Sequence, residues 1–162
     1  MHLLEQRLAA NAPGHRVVNA SISGETTAGG LARLPALLAE NKPSLVLVEL
    51  GANDGLRGLP LAEIRTNLRR ILAGVRDSGA RSVLLGIELP INYGPQYRDG
   101  LRNLYRDLAA EFNAPLVPFL LDGVALKPEW MQDDGLHPKA EGEPRVLDNV
   151  WPVLQPVLKT LR

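Results

Sequence analysis

A layered α/β fold built on a parallel sheet is what this sequence predicts, and three features predict it. Four short runs rich in Val, Leu and Ile alternate along the chain with segments of helical period. The runs are apolar almost throughout, as strands covered on both faces are, whereas strands wet on one side alternate apolar with polar residues. With 162 residues, 45% of them apolar, the chain is large enough to close one hydrophobic core. A single domain over residues 1–162 is therefore expected.

Leu3, Leu4 and Leu8 give residues 1–11 a helical stripe with no strand before it. The first strand is expected over residues 16–22. A helix over residues 31–40 comes next, starting late or kinked because Pro35 has no N–H to donate. The second strand is expected over residues 44–50. Leu61, Ile64, Leu68, Ile71, Leu72 and Val75 then mark an amphipathic helix. The third strand is read over residues 81–89, and Leu101, Leu104, Tyr105, Leu108 and Phe112 mark the next helix. The fourth strand is read over residues 115–120. Val146, Leu147, Val150, Trp151, Leu154, Val157, Leu158 and Leu161 form a last helical stripe, interrupted by Pro152 and Pro156 and so expected to bend. A helix followed by strand–helix pairs is the order of a doubly wound sandwich.

Composition narrows the function classes. Eighteen basic side chains balance eighteen acidic ones, so no net field draws the chain to nucleic acid or anionic lipid, and neither is expected as a partner. The absence of cysteine removes disulfides, thiolate metal sites and a cysteine nucleophile. No apolar run approaches the ~18 residues of a membrane span, and the first residues lack the apolar stretch of a signal peptide. Membrane insertion is not expected.

In open parallel sheets ligands bind beyond the carboxyl ends of the strands. Three loops there carry unusual residues: one through Ser23 and Gly24, then Gly51-Ala52-Asn53-Asp54-Gly55, then Asp133-Asp134-Gly135-Leu136-His137-Pro138. Each residue type is also an ordinary turn former or helix cap. Together, however, they supply a hydroxyl, a glycine N–H, an asparagine amide and a carboxylate–imidazole pair. Acyl transfer needs a base, a group that orients the base, and donors for an oxyanion. Of the three histidines, His2 and His15 read as solvated surface residues. Asp134 precedes His137 by three residues across a glycine, so its carboxylate can fold back onto Nδ1–H and leave Nε2 as a general base. Zinc competes for the same groups, but one histidine with Asp133 and Asp134 falls short of a usual ligand set. No metal and no organic cofactor are expected.

Gly24 within Val18-Asn19-Ala20-Ser21-Ile22-Ser23-Gly24, the run Gly51-Ala52-Asn53-Asp54, and Asp134-Gly135-Leu136-His137-Pro138 together resemble three of the sequence blocks of the SGNH, or GDSL, hydrolases. They stand in the family's order, and the likeness is strongest to its bacterial thioesterase I, lysophospholipase and arylesterase members. The resemblance implies a three-layer, flavodoxin-like sandwich with a parallel sheet. It implies a serine hydrolase cleaving small to medium acyl esters or acyl-thioesters. In it, His137 is the general base, Asp134 its orienting carboxylate, and Gly24 N–H with the Asn53 amide the oxyanion donors. A periplasmic or secreted location is also implied, although no signal peptide is present in the sequence.

The sequence departs from the family in one respect: the Gly-Asp-Ser block that supplies the nucleophile and ends the first central strand occurs nowhere in it. The chain is accordingly expected to begin inside the helix after that block, with the first central strand missing. The flanking strands must then pair directly, or a second copy must fill the gap, which makes a homodimer the expected assembly. Ser23, beside Gly24, is the candidate substitute nucleophile. Tyr93, Tyr97, Leu56, Trp130 and Met131 are candidates to contact an acyl chain or, alternatively, to cover the core. Asp54 reads as a cap for the segment after it. Two other readings remain: a relative that binds an acyl or glycan ligand without turnover, and a flavodoxin-like nucleotide-binding module. The second is weakened by the lack of a Gly-x-Gly-x-x-Gly or P-loop run.

Overall fold

The computed structural model describes residues 1–161, which fall into two compact units. One comprises Ala20–Pro118, and the other Met1–Asn19 with the stretch from Phe119 onward.

The Ala20–Pro118 unit holds the sheet. Its first helix, α2 (Thr27–Asn41), comes after α1 (His2–Asn11) of the other unit in chain order and starts four residues before the apolar stripe suggests. The Thr26 hydroxyl caps it by accepting the Gly29 N–H at 3.3 Å. Gly30 lies so close to Leu50 that a Cβ there would sit 2.5 Å from a Leu50 methyl, so this glycine serves close packing and does not break the helix. The helix runs on through Pro35 and ends at Lys42 in the left-handed region, with φ 43°. Next come β1 (Leu45–Val48), α3 (Ala52–Leu56), α4 (Leu61–Asp77), β2 (Arg81–Leu85), a 3-10 turn at Ile91–Tyr93, α5 (Pro95–Phe112) and β3 (Leu116–Val117).

The sheet is parallel in the order β1-β2-β3, with Val48 opposite Leu84 and Leu84 opposite Leu116. Val48 and Leu84 pack with Leu34 of α2, with Ile64, Leu68, Ile71, Leu72 and Val75 of α4, and with Leu101, Leu104, Tyr105 and Leu108 of α5 in one cluster. On the opposite face Val83, Leu85 and Val117 are buried as well, which explains the unbroken apolar character of the strands. Each fully buried Leu or Ile contributes about 1.5–3 kcal/mol relative to exposure.

The expected strand over residues 16–22 does not form. No residue of that stretch is in a strand, and Val18 and Ile22 are 44% and 55% exposed. The reason is physical: a strand persists only through a hydrogen-bonded neighbour, and none of the three strands pairs with this segment. The other three strands are shorter than the apolar runs, because pairing stops before the runs end.

In the second unit, α1 (His2–Asn11) and α6 (Glu143–Leu158) are joined by the Arg7–Asp148 ion pair at 2.7 Å, and the Arg7 guanidinium lies 5.8 Å from the Trp151 ring centroid. The last helix is continuous through Pro152 and Pro156. Asn149 Nδ2 donates to the Leu120 and Asp122 carbonyls at 3.0 and 2.8 Å, anchoring α6 to the chain that leads into the His137 loop. No helix among the described residues is long and apolar enough to cross a membrane.

Candidate active site

The His137 loop is built by its own backbone. Met131 and Pro138 form an antiparallel bridge, Gln132 N–H donates to the His137 carbonyl at 2.8 Å, and Gly135 N–H donates to the Gln132 carbonyl at 2.9 Å. At the tip, Gly135 takes φ 65°, which glycine adopts without strain. Asp134 Oδ1 accepts the N–H groups of Leu136 and His137 at 2.9 and 3.1 Å, and Oδ2 lies 2.7 Å from His137 Nδ1. The expected carboxylate–imidazole pair is therefore present, and the sequence spacing brings it about locally. The His137 bond and, after it, the two backbone N–H bonds hold Asp134 down at about 2. The His137 side chain is 65% exposed, leaving the ring accessible to a substrate. In the same unit Trp130 is partly buried with the Lys127 ammonium 3.6 Å from its ring centroid, whereas Met131 is buried.

The oxyanion candidates lie in the Ala20–Pro118 unit. Glu25 N–H donates to the Ile22 carbonyl at 3.3 Å, closing a turn over Ser23 and Gly24 in which Gly24 has φ 75°. That positive φ at the third position is what a type II turn requires of glycine. Gly24 N–H donates to no group among the described residues, and Ser23 is exposed beside it. Asn53 Nδ2 donates to the Glu25 carbonyl at 3.0 Å, and Arg57 Nη2 donates to the Gly24 carbonyl at 3.3 Å. One amide hydrogen of Asn53 is thus committed to the turn that carries Gly24, and the other is free to donate. Gly51 permits the sharp exit from β1: its φ is 108°, and a Cβ there would sit 2.5 Å from the Tyr105 hydroxyl. That hydroxyl donates to the Leu50 carbonyl at 2.5 Å.

Tyr93 and Tyr97 spend their hydroxyls on the loop around α3, donating to the Leu56 and Leu59 carbonyls at 2.7 and 2.5 Å. Leu56 and both tyrosine rings are only partly buried against the core. Burial first, then the Asp54 charge, raises the Tyr97 phenol above its ordinary value, and the Tyr105 phenol likewise.

Asp54 corrects its sequence reading. It is completely buried, and it does not cap the segment after it. Its carboxylate reaches back to the start of α2, where it accepts the backbone N–H and the hydroxyl of Thr27. The sequence signal for this pair is weak, because Thr27 stands next to another threonine and either could cap the helix.

A model of the GDSL-like Lipase/Acylhydrolase family matches residues 1–144. Esterase TesA of Pseudomonas aeruginosa is 54% identical over 156 residues, 96% of this chain and 78% of that protein. Thioesterase 1/protease 1/lysophospholipase L1 of Escherichia coli is 50% identical over 142 residues, 88% of this chain and 68% of that protein. Among solved structures, the psychrotrophic esterase EstA from Pseudoalteromonas sp., inhibited by monoethylphosphonate, superposes with a TM-score of 0.91 at 37% identity, covering 98% of this chain and 86% of that one.

Proposed function

The chain belongs to the GDSL-like lipase/acylhydrolase family, and from that premise we propose that it hydrolyses carboxylic esters or acyl-thioesters of small to medium acyl chains by acyl transfer to water. The observation that carries this reading furthest is the 2.7 Å contact between Asp134 and His137 on an exposed, backbone-braced loop. Names of relatives with esterase, thioesterase and lysophospholipase activity support the substrate class. The family match runs through both compact units, which supports treating them as one catalytic domain.

In this mechanism His137 Nε2 takes the proton from the attacking hydroxyl as its oxygen bonds to the carbonyl carbon. Asp134 keeps the proton on Nδ1 and stabilises the imidazolium. The charge on the carbonyl oxygen is held by Gly24 N–H and the free amide hydrogen of Asn53. Collapse returns the proton to the leaving alcohol or thiol, and water repeats the sequence on the acyl-enzyme. Ser23 is the proposed nucleophile within this sequence, since it is exposed and adjoins Gly24. Leu56, Tyr93 and Tyr97 in the one unit, and Trp130 and Met131 in the other, are the residues proposed to contact the acyl chain. The substrate is a small molecule, and no cofactor takes part. A periplasmic or secreted setting accompanies this reading, and so does a homodimer formed on the open edge of β1.

The test is turnover of short-chain p-nitrophenyl esters. The chain should hydrolyse them, and His137→Ala should abolish the reaction apart from a residue due to the oxyanion donors. A fluorophosphonate should label Ser23, and the label should vanish in Ser23→Ala. Turnover without serine labelling would move the attack to a water activated by the Asp134–His137 pair. Turnover untouched by His137→Ala would overturn the site, and tight ligand binding without turnover would replace the hydrolase with a binding protein.

A further inference from the structure

Apart from the Tyr105 phenol, Asp54 and Thr27 are the only buried polar side chains among the described residues, both at 0% exposure, and they are bonded to each other. Asp54 Oδ2 accepts the Thr27 N–H at 2.9 Å, and Asp54 Oδ1 accepts the Thr27 hydroxyl at 2.5 Å. The Thr27 hydroxyl in turn accepts from Asn67 Nδ2 of α4 at 3.1 Å. No ion pair among the described residues includes Asp54, so the carboxylate is held by these hydrogen bonds without a cation. Burying a carboxylate is a costly way to cap a helix that Thr26 already caps, since a neutral acceptor would serve.

The position of the pair in the sequence gives it a second role. Asp54 is bonded covalently to Asn53, and Thr27 stands two residues after Glu25, whose carbonyl holds the Asn53 amide. The bond between Asp54 and Thr27 therefore fastens together, from beneath, the segments that carry Asn53 and Gly24. Among the described residues the other polar tie between them, beyond the Asn53–Glu25 bond, is the exposed Arg57–Gly24 contact.

We propose that Asp54 is a positioning residue which, through Thr27, fixes the Asn53 amide relative to the Gly24 N–H. Its catalytic consequence rests on the hydrolase reading above, while its structural consequence does not. Asparagine at position 54 could accept the Thr27 N–H but would present a donor to the Thr27 hydroxyl or leave that hydroxyl without an acceptor. Serine at position 27 would keep both of the original bonds.

The experiment compares the wild-type chain with Asp54→Asn, Thr27→Val and Thr27→Ser by amide NMR and by ester turnover. In Asp54→Asn the Asn53 side-chain amide and the Gly24 amide should shift, and Asn53 amide hydrogens should exchange faster. The Asn149 side-chain amide, held in the other unit, is the internal reference and should not move. The kcat should fall about 10-fold with KM within about twofold, less than the ~10²–10³ for outright loss of a donor. Thr27→Val, which keeps the backbone bond, should shift the same resonances by less and decides the matter if Asp54→Asn fails to fold. Thr27→Ser should restore wild-type spectra and kcat. Unmoved Asn53 and Gly24 resonances in folded Asp54→Asn, or in Thr27→Val where Asp54→Asn fails to fold, would overturn the proposal. A wild-type chain without turnover would sink the hydrolase reading while the NMR comparison still judges Asp54.

Discussion

Asp134 holds His137 with one carboxylate oxygen and the loop that carries His137 with the other: Oδ2 is 2.7 Å from Nδ1, and Oδ1 accepts the N–H groups of Leu136 and His137. The ring and its backbone are thus oriented by one group, and losing the carboxylate releases both. Titration of Asp134 should show this directly. Its value falls from 3.8 to about 2, chiefly through the His137 bond. Because the folded value lies below the unfolded one, the contribution is fully present above about pH 4 and is lost as pH falls through about 2. A carboxyl-carbon NMR titration should find the midpoint near 2, and His137→Ala should raise it part of the way to 3.8 because the backbone bonds remain. An ordinary midpoint in the wild-type chain would show that the ring is not held in solution.

The oxyanion donors can be tested apart from the base. Asn53→Ala should lower kcat by about 10²–10³ with little change in KM, because the donor acts on charge that develops only in the transition state. Gly24→Ala keeps the N–H and meets no atom within 4 Å, but it forces a side chain onto φ 75°. Its kcat should fall less than that of Asn53→Ala as the turn shifts. Steady-state kinetics on an activated ester check both, and a loss below threefold in Asn53→Ala would remove Asn53 from the role.

Much of this architecture is legible in the sequence, for local reasons. The 3.6-residue stripes of α4 and α5 are strong because those helices bury one face against the sheet, and the Asp134–His137 pair is encoded by spacing and a glycine at the turn. The failures are non-local. Residues 16–22 have strand composition, but strand formation depends on a neighbour that no local pattern reveals. Gly30 packs against Leu50, and Asp54 finds Thr27, the first residue of α2, across 27 positions of sequence. Composition recorded the apolar character of each segment, while the contacts that decided its conformation lie elsewhere in the chain.

The open side of the sheet bears on assembly. The strands are ordered β1-β2-β3, so among the described residues β1 has a strand partner on one side only, and Leu45, Val46 and Leu47 are only partly buried. Ile22, in the same unit, is 55% exposed, and an apolar strand with an open edge is a template for pairing with another chain. Sedimentation velocity should therefore show a concentration-dependent dimer. Ile22→Lys should shift it toward monomer by adding charge to an exposed position without altering the core. Because Ile22 contributes nothing to the buried cluster, its thermal midpoint at a concentration where both chains are monomeric should match the wild type. A wild-type chain that sediments as a monomer throughout the micromolar range would show that the open edge is tolerated in water, as short edge strands are in many proteins, and would end the case for a second copy.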